Sequence, residues 1–164
     1  MVTLARNAGT YCCLHPTHDM TTPDNTNADE DDLHRVAMEA WELRLTDAPA
    51  SCERATQVHR HSDPARAQRA WAWAESTLTW HLGASGREAE TKRRLHIPIG
   101  IFTVIDDKRG LAAAWAQLAR CALGAGDTDR TFNLLGQIEP LLRWVSSEER
   151  VEWFVLSANC AGTQ

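Results

Sequence analysis

No apolar run in this sequence approaches the roughly 18–20 residues that a membrane span requires. Residues 1–14 lack the continuous apolar core of a signal peptide, because Arg6, Asn7 and Gly9 interrupt it. No C-x-x-C pair occurs. The five cysteines (Cys12, Cys13, Cys52, Cys121, Cys160) are odd in number and scattered, which argues for free thiols in a reducing compartment. No Lys-Ser/Thr follows Gly124-Ala125-Gly126, so that turn is not a phosphate loop. Positive charge is not in surplus either. The formal net charge is −5, and residues 1–32 carry all of it, with Asp19, Asp24, Asp29, Glu30, Asp31 and Asp32 against Arg6 alone. A neutral body behind an acidic lead-in excludes general nucleic-acid affinity, which needs excess positive charge along one face. These absences place the expectation in the cytoplasm, away from membrane and nucleic acid.

What is present is helical periodicity. Residues 1–29 are too poor in apolar surface to offset ordering entropy and are expected to be a disordered acidic tail, with Met20 as an alternative start. From Glu30 onward acids open a first helix carrying Val36, Ala40, Trp41, Leu43 and Leu45. A short helix is expected over 50–59. Ser62-Asp63-Pro64 reads as the start of a long Ala- and Trp-rich helix to Leu82. Residues 87–95 favour helix, whereas 96–105 contain Pro98, Gly100 and β-branched residues that locally favour strand. A helix kinked near Pro98 is the reading that suits the neighbouring hairpins. Further helices are expected over 111–123, 128–145 (with Pro140 bending it late) and 147–160, the last behind a capping sequence at Ser146-Ser147-Glu148-Glu149.

A pattern recurs in these helices. Trp115 is followed by Leu118-Ala119 and Gly126-Asp127, Trp153 by Leu156-Ser157, and Trp73 more loosely by Trp80 and Ala89. On these residues the body, 30–164, resembles the tetratricopeptide family, whose units are helix pairs of about 34 residues. The best unit runs from Ala112 to Val145. Ser76 and Thr77 stand where the family has Leu and Gly. The tryptophan spacings, 115 − 73 = 42 and 153 − 115 = 38, exceed the family period, so insertions are expected. A second resemblance is narrower. Asp106-Asp107-Lys108-Arg109-Gly110-Leu111-Ala112-Ala113-Ala114 looks like the junction between repeats that stand in front of bacterial diguanylate cyclase domains. The Gly-Gly-Asp-Glu-Phe motif of the cyclase itself is absent.

The resemblance implies an all-α stack of antiparallel helical hairpins, a short TPR-like α-solenoid of three and a half pairs. With Trp153 placed on Trp115, Gln164 falls where Gly126 falls, so the last repeat stops at its turn. The apolar 151–156 segment then either docks on another chain, as in a homodimer, or has lost its mate. In the family the first helix of each pair lines a concave groove. That register implies Trp71, Leu78 and His81 on one helix, Ala116 and Arg120 on the next, and Phe154 on the last, a mix suited to a peptide or partner helix.

Other constellations carry less chemistry. Cys12, Cys13, His15 and His18 match no zinc spacing. His59, His61 and Asp63 read as solvated residues between helices. Cys121 and His81 would pair as nucleophile and base only if the fold joined them. Lys92, Arg93 and Arg94, with Arg87, read as a solvated helix face. Trp71 and Trp73 lie about 200° apart around one helix and cannot share one interface. The sequence therefore points to a protein-interaction or sensory module without catalytic residues, metal or cofactor. A small-ligand sensor that regulates an enzyme and a remnant of a truncated gene are the alternatives.

Overall fold

A computed structural model describes residues 30–162. The described chain is all helical: α1 (Glu30–Leu43), α2 (Ala48–His61), α3 (Gln68–Ala84), α4 (Glu88–Val104), α5 (Lys108–Gly124), α6 (Thr128–Ile138), a short 3₁₀ turn (Glu139–Leu141) and α7 (Ser147–Ala161). The expected acidic tail, 1–29, lies outside the described residues. No described helix is long and apolar enough to cross a membrane.

The helices are set out by a regular local code. α2 to α6 begin at residues 48, 68, 88, 108 and 128, a step of 20 residues per helix. Asp47, Asp107 and Asp127 each cap a following helix, accepting from the backbone N–H of Ala50 (3.0 Å), Gly110 (2.9 Å) and Arg130 (3.1 Å). At three successive helix ends a residue with positive φ (Gly86, Asp106, Gly126) closes the turn. In each, the next N–H reaches back five residues: Arg87 to Leu82, Asp107 to Phe102 and Asp127 to Ala122. The hairpin period is therefore 40 residues, not 34. In that register Thr131 matches Thr91, and both buried hydroxyls donate to the carbonyl four residues back.

Residues 96–104 are helix, the reading preferred from the hairpin context, rather than strand, with Pro98 buried inside α4. Packing of Leu95, Pro98 and Phe102 outweighs β-propensity there. α2 is longer than expected. Asp63-Pro64 does not start α3. Asp63 closes a tight turn by accepting from the Ala65 N–H at 2.8 Å, and the helix begins only at Gln68. α6 stops at Ile138 and Pro140 falls in the 3₁₀ turn, consistent with the backbone donor it lacks.

Each helix packs on its chain neighbours, and α1 on α3, α3 on α5 and α5 on α7. α2, α4 and α6 do not pack on one another, so the odd helices form a continuous series of contacts and the even helices flank it. α3 lies at the centre. Its Trp73 is enclosed by Trp41 and Phe102, each at 5.4 Å in edge-on geometry, and its indole N–H donates to Asp107 at 3.0 Å. A Cβ on Gly110 would stand 2.4 Å from the Phe102 ring, so only glycine lets α4 and α5 approach this closely.

Candidate binding groove

The odd-numbered helices gather charge and aromatic rings at one place. α1 brings Trp41, the turn after it brings Arg44, α3 brings Trp80, and α5 brings Ala116, Gln117 and Arg120. These line a cavity of about 20 Å³, room for one water-sized molecule. Ile138, Leu142 and Val145 close one side, and α7 closes another with Glu149, Glu152 and Trp153.

The arginines also have contacts outside α7. The Arg44 side chain is 1% exposed. Its guanidinium lies over the Trp41 ring at 4.0 Å, and its Nη1 donates to the Trp41 carbonyl at 2.9 Å. Arg120 lies 5.9 Å from the centre of the Trp80 ring. α7 delivers two carboxylates. Glu152 pairs with Arg44 and, at 3.1 Å, with Arg120. Glu149 accepts from the Trp41 indole at 2.7 Å, from Arg109 Nε at 3.0 Å and from the Ser146 backbone N–H at 2.7 Å. Burial works to raise the Glu149 carboxyl. The Arg109 and Ser146 hydrogen bonds, the Arg109 charge and the Trp41 bond together hold it below its ordinary value.

Two of the six residues assigned by register, Ala116 and Arg120, meet in this cavity. Trp71 and His81 lie elsewhere. Trp71 is 9% exposed and packs on His59 of α2 at 5.1 Å. His81 is 4% exposed, and its Nε2 lies 2.9 Å from Ser51 Oγ. The Ser51 hydroxyl donates to the Ala40 carbonyl at 2.7 Å, so it accepts from the imidazole and is no nucleophile in this arrangement. Burial and then the Arg44 charge push the His81 ring below its ordinary value. Leu78 is half-buried, and Phe154 is 56% exposed, edge-on to Trp153.

Sequence reasoning passed over Trp41, Arg44, Glu149 and Glu152 as site residues. Their one visible signal was two acids three residues apart at the head of an apolar helix, which places both on one face.

The remaining chemical candidates resolve into packing. Arg94 grips Glu75 through two bonds of 2.6 Å, with His59 3.3 Å away, so one of the basic cluster's charges is neutralised within the core. Arg87 pairs with Glu90. Burial pushes the Cys121 thiol up, against a nucleophilic role. Among the described residues no group of three or more His, Cys, Asp or Glu is placed to hold a metal. Cys12, Cys13, His15 and His18 lie outside them. Comparison with protein-family models, with curated proteins and with solved structures finds no match for this chain.

Proposed function

We propose that this chain is a protein-interaction module, a short stack of helical hairpins of tetratricopeptide type that captures an acidic peptide or partner helix on its odd-helix face. One observation carries this. Arg44, in the turn after α1, and Arg120 of α5 lie against the Trp41 and Trp80 rings and share the Glu152 carboxylate, while Arg109 of α5 and the Trp41 indole share Glu149. Guanidinium forks supported by indole faces suit carboxylate recognition. The order of the helix contacts and the recurring Asp and Gly at the turns support the repeat reading, with a 40-residue unit as the departure from the family. The link to the front repeats of diguanylate cyclases rests on the 106–114 phrase alone. Those residues have a packing role of their own, since Asp107 caps α5 and binds Trp73 while Gly110 admits Phe102.

The test is fluorescence anisotropy of the full chain with a labelled helical peptide carrying two glutamates three residues apart. Binding is expected to strengthen at low salt, to vanish when both glutamates become glutamine, and to weaken at least tenfold in Arg120→Glu. Equal binding of the acidic and glutamine peptides would reject the reading.

A further inference from the structure

We infer that α7 is a resident occupant of this groove, a displaceable helix that competes with the acidic partner and so keeps the module autoinhibited. The inference rests on the groove reading above and adds its regulation.

Three observations converge on α7. Its apolar hold is small for its length: Leu156 and Cys160 are buried and Trp153 is half-buried against the core, while Val151, Phe154 and Val155 each stand more than half exposed. Its attachment to α1 and the turn that follows crosses 108 residues of sequence through polar bonds, a hydrogen bond from the Trp41 indole to Glu149 and an ion pair between Arg44 and Glu152. The segment joining it to the 3₁₀ turn, 142–146, is not helical, so α7 can move without unwinding α6.

The fit of α7 is also incomplete. Arg44 Nε and Trp80 Nε1 are buried donors without an acceptor among the described residues, and both side chains line the cavity that α7 closes. A buried donor without an acceptor is costly. A segment that repeats the two carboxylates of α7 and adds a third acceptor between them satisfies the groove better than α7 does. The partner chemistry is therefore an acidic helix with Glu-x-x-Glu spacing and a further carboxylate or amide oxygen on the same face. Because α7 is tethered, its local concentration is high, and a free partner of equal intrinsic affinity binds the closed chain more weakly than the opened one.

Hydrogen–deuterium exchange on the full chain tests this, read together with anisotropy of the labelled Glu-x-x-Glu peptide. In the wild-type chain, saturating peptide should speed exchange across 147–161 and leave α3 protected. The Glu149→Gln/Glu152→Gln chain, which keeps side-chain shape and the N-terminal cap, should exchange faster in α7 without peptide and bind the peptide at least tenfold tighter. Peptide that binds the wild-type chain with α7 protection unchanged would overturn the inference and leave the groove reading standing. An opened α7 in the double variant with no peptide binding would overturn the groove reading itself. The wild-type measurement stands alone if the variant folds poorly.

Discussion

α3 and α7 are helices of similar length held by opposite means. α3 buries 11 of its 17 residues, against α1, α2, α4 and α5, whereas α7 buries 2 of 15. Both carry polar groups into contacts, but they use them differently. In α3 the polar groups are themselves buried and find their partners inside the core. Gln117 of α5 donates to the Ser76 carbonyl at 3.0 Å and stands 3.2 Å from the Thr79 hydroxyl, while Thr77 donates to the Trp73 carbonyl at 3.0 Å. Such a seam fixes how α3 and α5 register and is insulated from salt. In α7 the polar groups reach outward to arginines on other helices, and both carboxylates keep some contact with solvent. Contacts of that kind respond to pH, to salt and to competitors. One helix holds the scaffold together and the other is the one we infer to be displaceable.

The comparison can be broken most severely at α3. Trp73→Ala removes the ring between Trp41 and Phe102 and should cost about 3–5 kcal/mol in urea unfolding. Gly110→Ala drives a methyl group into Phe102 at the same junction and should cost about 1–3 kcal/mol, with Phe102→Ala in the same chain recovering part of the strain. Glu152→Ala removes the acid facing Arg44. Leaving that guanidinium buried and unpaired would cost about 3–5 kcal/mol. α7 can open instead, so the global unfolding midpoint should move little while exchange in α7 rises. A large drop in the midpoint would show α7 to be integral to the scaffold.

Acidification should separate the two regions by pH. The folded pKa of His81 lies below its ordinary value near 6.5. As pH falls past that value the unfolded chain takes up the proton first, so stability around α2 and α3 declines from there downward. The folded pKa of Glu149 also lies below its ordinary value near 4.5. Its contribution is present above that value and is lost only as pH falls through the lower, folded one. Exchange measured against pH should show the α2–α3 region weakening first as pH falls and the Glu149 contribution lost only under more acid conditions. Simultaneous change would contradict these assignments. The smallest effect is expected from Asp127→Ala, a cap worth about 1 kcal/mol, seen as a modest fall in the thermal midpoint.

Helical content, the hairpin turns and most helix starts were legible in the residues. Asp at the cap, Gly at the turn and apolar spacing act within a few positions and need no distant partner. The 40-residue unit was harder to see because indole position suggested the wrong register. In the structure Trp115 occupies the place of Glu75, and Ala113 that of Trp73, so large side chains do not recur at equivalent sites. The capping carboxylates and the buried Thr91 and Thr131 mark the repeat better. Of the residues named from register, Ala116 and Arg120 line the cavity. Arg44 was not named, because a charged residue near a helix end looks solvated until a neighbour covers it.

Local chemistry in the chain thus set most of the described helices, the side-chain caps of α2, α5, α6 and α7 and the positive-φ turns after α3, α4 and α5, since each of those energies is settled within one turn of backbone. Which tryptophan is enclosed, which arginine is buried and where α7 comes to rest depend on contacts up to 108 residues apart. No spacing rule encodes those, because burial and charge pairing arise only when distant surfaces are brought together in the folded chain.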